Sequence, residues 1–287
     1  MNKIGFIGVG VMGASMVQNL MKAGFEVHIY TRTKSKADAV IEAGAIWHDT
    51  PQELAPHVEA LITMVGYPTD VEQLYLAEDG LLTTLRSGSF AIDMTTSSPN
   101  LAKQIAEEAK EAGIAVIDAP VSGGDIGAKN GTLTIMVGGE ERAFLAVEPI
   151  LKAMGQSVIL QGEAGAGQHT KMVNQIAIAS NMIGVTEAIC YAKKAGLDPE
   201  KVLASISGGA AGSWSLSNLI PRVLQEDFSP GFFIKHFIKD MRIALDEAKQ
   251  MGLDLPGLAM AEQMYQKLAE AGYADNGTQT LIKYYEK

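Results

Sequence analysis

The chain has 287 residues, with 23 Lys and Arg against 33 Asp and Glu, and a formal net charge of −10 at pH 7. This length suggests about two domains, each large enough to bury a core. The acidic balance argues against nucleic acid or an anionic membrane as the main partner. The single cysteine, Cys190, cannot form an internal disulfide, so we expect a reducing, cytoplasmic location.

The first half of the chain alternates short β-rich runs with helical patterns. Strands are predicted at residues 3–8, 26–30, 60–65, 90–94, 115–118, 132–138 and 157–160. Continuous apolar strands separated by amphipathic helices are typical of a parallel sheet covered on both faces. The sequence therefore predicts an α/β fold whose N-terminal domain, residues 1–163, is a doubly wound Rossmann-type parallel sheet.

From Gly165 onward the strand signals nearly stop. Helices are predicted at residues 168–194, 199–207, 215–225, 234–251 and 256–271. The first would be about 40 Å long at 1.5 Å per residue, so we expect an all-α C-terminal domain, residues 164–287, built around it. Polar residues such as Asn181 and Glu187 interrupt its apolar run, which favours a helix buried in protein over a membrane span.

A G-x-G-x-x-G motif follows the first predicted strand and opens a helix. Gly8 would permit the tight turn, Gly10 would let the backbone approach a pyrophosphate, and Gly13 would let helix and strand pack closely. Val11 and Met12 would lie at the helix N-terminus, where backbone amides attract anions. A turn with a structural role alone is the alternative, but the strand-to-helix context favours dinucleotide binding.

The end of the second predicted strand bears on the choice of dinucleotide. NAD sites usually carry Asp or Glu there to hold the ribose hydroxyls. This chain has Thr31, Arg32 and Thr33 instead. These residues favour NADP, with NAD possible, because no carboxylate follows the strand to repel a 2′-phosphate. An ordinary solvated basic loop is the alternative.

Later strand ends supply candidate walls for the cofactor pocket. Met64 and Val65 end one predicted strand, and Thr95 and Thr96 follow another. A parallel sheet presents its ligand crevice at the carboxyl ends of its strands. We therefore expect these residues to contact the ribose and nicotinamide.

Two further segments suggest substrate chemistry. After a predicted strand ending at Asp118, Ser122, Gly123 and Gly124 form a glycine loop that can direct amides and a hydroxyl at an anion. Lys171 lies on the first turns of an otherwise apolar helix. Lysine is almost never fully buried unless it is paired, and burial can tune its charge towards neutral pH.

These motifs together resemble the 3-hydroxyisobutyrate dehydrogenase family of β-hydroxyacid dehydrogenases, which includes tartronate semialdehyde and glyoxylate or succinic semialdehyde reductases. The resemblance covers essentially the whole chain. It is carried by residues 8–13, 118–124, 131–139, 165–174 and the pair Lys239-Asp240. It implies a hydride transfer between NADP(H) and a small β-hydroxy acid or its semialdehyde, and a homodimer or homotetramer.

The resemblance also implies residue roles. Lys171 matches the catalytic lysine, Ser122, Gly123 and Gly124 the substrate-carboxylate loop, and Thr96 a cofactor contact. Lys239, with Asp240 beside it, matches a lysine near the nicotinamide end. The family's Asn four residues after the lysine is here Gln175, and Asn174 comes one earlier. Either amide could contact substrate, because positions +3 and +4 of a helix both lie near the lysine's face.

A general acid/base role for Lys171 follows from alcohol chemistry. As hydride leaves carbon, a group beside the oxygen must take the hydroxyl proton. A lysine can do this when burial or a nearby cation lowers its pKa from about 10.4. The alternatives are an imine reductase-like enzyme, which typically lacks this lysine, and a non-catalytic nucleotide-binding module of the same fold.

Other candidate residues are weaker. The histidines, at positions 28, 48, 57, 169 and 236, are scattered without metal-ligand spacing, so no metal is expected. Trp214 and Phe232 or Phe233 either close over a small substrate or belong to the core. The identity of the substrate and the direction of the reaction stay open, because one methylene changes binding by only about 1–3 kcal/mol.

Overall fold

The structure is a computed structural model and describes residues 1–286. The chain forms two compact units, Met1–Lys171 and Met172–Lys287. One long helix, Ala166–Lys194, contributes its first turns to the first unit and its remainder to the second. The sequence-based division at residue 163 precedes this helix, whereas the units divide within it.

The first unit contains a nine-stranded sheet of order β3-β2-β1-β4-β5-β6-β8-β7, with β9 paired to β8. Its strands are β1 Lys3–Ile7, β2 Glu26–Tyr30, β3 Ile46–Trp47, β4 Ala60–Thr63, β5 Phe90–Asp93, β6 Ala115–Asp118, β7 Val121–Ser122, β8 Leu133–Gly138 and β9 Gly155–Gly162. Strands β1 to β6 pair in parallel, β8 runs antiparallel to β6 and β7, and β9 is parallel to β8. The parallel pairing of β1 to β6 confirms the predicted Rossmann-type parallel sheet, whereas β8, predicted as part of that parallel sheet, runs antiparallel to β6 and β7.

Side chains that alternate along the strands form two cores, one on each sheet face. Ile4 and Ile62 belong to one cluster, while Ile7 and Leu61 belong to the other. Because both faces are covered, all four residues of β4 are buried, which explains its continuous apolar sequence. The prediction omitted β3 and β7, each of which is only two residues long.

Helices connect the strands of the first unit. They are α1 Val11–Lys22, α2 Asp38–Glu42, α3 Pro51–Leu54, α4 Pro68–Leu76, α5 Leu81–Thr84, α6 Pro99–Glu111, α7 Gly124–Asn130 and α8 Glu141–Lys152, with 3₁₀ turns at Lys34–Lys36 and Ala55–His57. Side-chain caps set several starts: the oxygen of Ser98, for example, accepts from Leu101 N at the start of α6. The predicted glycine loop is the end of β7 followed directly by α7.

The regular elements of the second unit are helices, and one isolated β-bridge joins Phe233 to Gly277 within its described residues. After α9, Ala166–Lys194, come α10 Pro199–Ile206, α11 Trp214–Asn218, α12 Ile220–Leu224, α13 Ile234–Gln250 and α14 Pro256–Leu268, then a π-helical turn Ala269–Tyr273 and a 3₁₀ helix Thr278–Tyr284. This composition confirms the all-α prediction. The single helix predicted at 215–225 is two helices, and the second has a proline in its first turn.

A separate apolar core holds the second unit together. Phe237 and Tyr265 are fully buried and meet edge to face, with ring centroids 5.1 Å apart. Phe232 packs against this core, whereas Trp214 is 61% exposed and is not part of it. Within residues 1–286, none of the helices has the length and hydropathy needed to cross a membrane.

Candidate functional site

The turn between β1 and α1 has the geometry that a dinucleotide requires. Gly8 has φ +105°, and a Cβ there would lie 2.1 Å from Met64 O. A Cβ on Gly13 would lie 2.1 Å from the Gly8 carbonyl oxygen, so neither position accepts a side chain. A Cβ on Gly10 would meet nothing within 4 Å. The strand and helix therefore pack as closely as the motif predicts, and open space remains above the start of α1.

In the folded chain a carboxylate from α4 lies close to the residues that follow β2, which the sequence did not predict. Arg32 is exposed, and its Nη1 lies 3.2 Å from Oδ1 of Asp70. Asp70 lies in the first turn of α4, where its Oδ2 also accepts from Tyr67 N. Thr31 is half-buried and Thr33 is exposed. Since Asp70 is 38 residues beyond Arg32, no local signal announced this ion pair.

The ends of β4 and β5 are joined by a buried hydrogen-bond network. The Thr63 hydroxyl and the Thr95 amide both donate to Oδ1 of Asp93, at 2.8 and 3.1 Å. Val65 N donates to the Thr95 hydroxyl at 3.0 Å. Burial raises the pKa of Asp93 to about 6. Thr95 is 1% exposed, so its hydroxyl holds the strand ends together.

Other predicted members of this wall are more accessible. Met64, Val65 and Thr96 are half-buried at the carboxyl ends of their strands. At the end of β7, Ser122 is half-buried and the next two residues take left-handed backbone conformations: φ is +124° at Gly123 and +64° at Gly124. Residues with a side chain rarely adopt such backbone angles, which explains why both positions are glycine.

Asp118, at the end of β6, caps the N-terminus of α9. Its Oδ1 accepts from Gly165 N at 2.7 Å, and its Oδ2 accepts from Gln168 N at 2.8 Å. The sequence placed this residue only at the end of its predicted strand. Burial raises the pKa of Asp118, while the backbone N–H donors oppose that rise. Two charge-assisted bonds thus hold the first turn of α9 to the sheet.

The Gln168 side chain makes a second link to the sheet. Its Nε2 donates to Thr95 O at 2.7 Å, and its Oε1 accepts from Ser97 N at 2.9 Å. Lys171 follows one turn later and is 6% exposed. Lys171, the charged residue predicted from the sequence, is therefore buried. It lies just after the helical turn that Asp118 and Gln168 bind to the sheet.

In the second unit, four side chains form a polar row. Asn174 Nδ2 donates to Gln175 Oε1 at 2.7 Å, and Gln175 Nε2 donates to Asp240 Oδ2 at 2.6 Å. Lys239 Nζ lies 2.9 Å from Asp240 Oδ1, an ion-pair contact without hydrogen-bond geometry. Gln175 and Asp240 are each 1% exposed, whereas Asn174 is half-buried.

Three histidines that are distant in sequence meet at His28, in the middle of β2. His28 Nδ1 lies 2.8 Å from His48 Nε2, and the ring of His57 stacks on His28 with centroids 5.9 Å apart. Burial, followed by the neighbouring histidines, lowers the pKa of His48. His28 Nε2 is paired with Glu26. In the part of the chain that the structure describes, no group of three or more His, Cys, Asp or Glu side chains could hold a metal ion.

The fold and the glycine turn define a dinucleotide-binding oxidoreductase, and comparison with known families agrees. Residues 3–162 match the NAD-binding domain of 6-phosphogluconate dehydrogenase. Residues 165–285 match the family described as NAD-binding of NADP-dependent 3-hydroxyisobutyrate dehydrogenase. The chain belongs to the 3-hydroxyisobutyrate dehydrogenase family of β-hydroxyacid dehydrogenases. It is an NAD(P)-dependent dehydrogenase or reductase.

Individual relatives cover the whole chain. An uncharacterized oxidoreductase of Bacillus subtilis, YkwC, is 58% identical over 99% of both chains. The 2-hydroxy-3-oxopropionate reductase of Escherichia coli is 37% identical, covering 99% of this chain and 97% of its own. The structure of Mycobacterium tuberculosis 3-hydroxyisobutyrate dehydrogenase with L-serine superposes with a TM-score of 0.91 at 31% identity over 100% of both chains.

Imine reductases, the alternative enzyme class, are more distant. An imine reductase from Pseudomonas superposes over 99% of both chains with a TM-score of 0.65, at 17% identity. At that level of identity the likeness concerns the fold alone.

Proposed function

We propose that this protein transfers a hydride between NADP(H) and a small β-hydroxy acid or its semialdehyde, with Lys171 as the general acid/base. The observation that carries the proposal is the placement of Lys171. It is a buried lysine one turn into a helix whose start is fastened to the ends of β5 and β6. Those strand ends lie at the carboxyl edge of the sheet, where such folds bind their ligands.

The residues at the glycine turn fit a dinucleotide. The open space at Gly10 and the first amides of α1, from Val11 and Met12, suit a pyrophosphate. Half-buried Met64, Val65 and Thr96 would line the ribose and nicotinamide. Buried Thr95 stabilises these residues, because its hydroxyl accepts a hydrogen bond from Val65 N and its amide donates one to Asp93. A bound nicotinamide supplies the hydride acceptor for oxidation and the hydride donor for reduction.

The protein's own part in the reaction concerns the proton and the carboxylate. In the oxidation, the substrate C–H electron pair leaves as hydride, the C=O bond forms, and the hydroxyl proton passes to Lys171 Nζ. In the reduction, the Lys171 ammonium polarises the carbonyl and returns the proton. Ser122, Gly123 and Gly124 bind the substrate carboxylate, which fixes the carbon that exchanges hydride.

Of the two amides after the lysine, we assign Asn174 to the substrate. Both ends of the Gln175 amide are engaged, by Asn174 and by Asp240, and its side chain is almost fully buried. Gln175 therefore serves to hold Asn174 and Asp240. Lys239 Nζ contacts Asp240, and we propose for Lys239 the role near the nicotinamide end that the family resemblance implies.

Preference for NADP rests on Arg32 and Thr33, which follow β2 and are exposed to solvent. A guanidinium binds phosphate through paired N–H donors. Asp70 opposes this preference, because its carboxylate already pairs with Arg32. We therefore propose a preference for NADP that Asp70 moderates, with NAD as the weaker cofactor. We further propose that the protein is a cytoplasmic homodimer or homotetramer. Light scattering of the purified protein measures the mass of the oligomer.

The test compares purified wild type with Lys171→Ala. A panel of small β-hydroxy acids and semialdehydes is offered with each cofactor, and reduced-nicotinamide absorbance is followed. We expect turnover with at least one substrate, and a loss of several orders of magnitude in Lys171→Ala, although the variant still binds cofactor in a fluorescence titration. Near-normal turnover by the variant would refute the role of Lys171, and no turnover by wild type with any compound would refute the substrate class.

A further inference from the structure

We propose that Asp118 and Gln168 are positioning residues that hold Lys171 in register with the cofactor and substrate segments. The inference rests on the proposed function, because it assigns the residues through which Lys171 is placed. Neither residue is expected to touch substrate or cofactor. Both are buried, at 2% and 0% exposure, and their side chains bond only to groups of the first unit in the contacts described above.

The Asp118 carboxylate binds two backbone amides at the start of α9. Asp118 Oδ1 and Oδ2 each accept one N–H from the helix start, from Gly165 and Gln168. A carboxylate held at two points cannot rotate without breaking a bond. It therefore fixes both the translation and the rotation of the first helical turn relative to β6.

The Gln168 side chain connects the same helical turn to the segment that follows the neighbouring strand, β5. Its amide donates to Thr95 O and accepts from Ser97 N, which flank the cofactor-contact residue Thr96. Lys171 is three residues further on, about 4.5 Å along the helix axis at 1.5 Å per residue. A displacement of the turn at Gln168 is carried to Lys171 with no flexible segment between them.

The start of α9 packs against Asp118 and β8 with no room for an added side chain at two glycines. A Cβ on Gly138 in β8 would lie 2.4 Å from Asp118 Oδ1 and 2.7 Å from Gly167 N. A Cβ on Gly167 would lie 2.4 Å from Met136 O. The helix start thus touches the backbone of β8 as well as the side chain of Asp118. Because the substrate loop begins a few residues after Asp118, one joint relates Lys171 to both ligand-binding segments.

The test uses Asp118→Asn, which keeps one acceptor but sets an N–H₂ donor against a helix amide. We expect kcat to fall about 10- to 100-fold, because misplacement by about 1 Å can cost 10²-fold. The Kd for NADPH should change less than about threefold. Asp198→Asn is the control for the loss of a helix-capping carboxylate: Asp198, which is exposed, caps α10 by accepting from Glu200 N and Lys201 N, and α10 carries no proposed site residue. Its kcat should stay within about twofold of wild type.

A double-mutant comparison separates positioning from a merely structural effect. In the Lys171→Ala background, adding Asp118→Asn should leave the residual rate unchanged, because no lysine remains to be positioned. An equal further loss in that background would overturn the inference, as would a folded Asp118→Asn protein with wild-type kcat. The single variant Lys171→Ala reports separately on the proposed function.

Gln168→Met keeps the test decisive if Asp118→Asn does not fold. It removes both side-chain bonds to Thr95 and Ser97, with a side chain of similar length and without changing Asp118. We expect the same pattern: a lower kcat, a retained NADPH affinity, and no effect when Lys171 is absent. A folded Gln168→Met protein with wild-type kcat would overturn the inference.

Discussion

Asp93 gives the sharpest prediction of how stability depends on pH. It lies at the end of β5, almost fully buried, and burial raises its pKa from 3.8 to about 6. The unfolded chain releases this proton near the ordinary value, so between about pH 4 and pH 6 the native state binds one proton more than the unfolded state does. The contribution of Asp93 to stability is therefore fully present below about pH 4 and is lost as pH rises through about 6.

The size of the effect follows from the shift. A shift of about two pKa units corresponds to about 3 kcal/mol at 1.36 kcal/mol per unit. Asp93→Asn abolishes this titration, since an amide carries no proton that ionises. We expect the free energy of unfolding of wild type minus that of Asp93→Asn to fall by about 2 to 3 kcal/mol between about pH 4 and pH 7, and to be flat above that range.

Urea unfolding of both proteins, measured across this pH range, tests the prediction. The titrations of other groups cancel in the difference between the two proteins. Hydrogen bonds altered by the substitution add an offset that does not depend on pH, and this offset leaves the slope of the difference against pH unchanged. Thr63→Val provides a companion variant. The Thr63 hydroxyl donates to Asp93 and lowers its pKa, so this variant should extend the loss of stability to higher pH. A difference that is independent of pH, or one that rises with pH, would refute the reasoning.

Two further predictions concern specificity. Arg32→Ala should weaken NADPH binding more than NADH binding. Asp70→Asn should tighten NADPH binding about 1.4- to fivefold, the range that corresponds to an exposed ion pair of about 0.2–1 kcal/mol. Titration with both cofactors measures these changes, and equal effects on NADPH and NADH would contradict the prediction. Asn174→Ala should lower kcat/KM at least about tenfold and should cost less stability than Gln175→Ala, because the acceptor that it leaves unpaired, Gln175 Oε1, is neutral. Gln175→Ala should lower stability by about 1–3 kcal/mol, because it removes a donor from the buried Asp240 carboxylate. Kinetics and thermal unfolding separate the two variants, and the reverse pattern would refute the assignment.

Much of the fold could be predicted because its signals are local. The buried run at β4 and the glycine turn before α1 each depend on a few consecutive residues. Two-residue strands such as β3 and β7 gave no such signal, because a pair of residues has no period. The break between α11 and α12 coincides with Pro221, but a proline near a helix start does not by itself announce a break.

The residues of the candidate site likewise fall into those with a local sequence signal and those without one. Lys171 and the glycine pair at 123–124 could be singled out because a charge on an apolar helix and paired glycines are unusual in themselves. The pairing of Asp70 with Arg32 and the meeting of His28, His48 and His57 could not, because strand order and helix packing bring those side chains together. Residues that are far apart in sequence carry no mutual pattern in a single chain.

The amino-acid sequence by itself determined the class of fold, the dinucleotide turn and the identity of the candidate proton-transfer residue, because each depends on residue type and short-range spacing. Tertiary structure alone decided what holds that residue. Asp118 and Gln168 reach across to the helix start and to the neighbouring strand, and Gln175 is engaged on both sides by Asn174 and Asp240. Such hydrogen bonds depend on distances that only the folded chain sets.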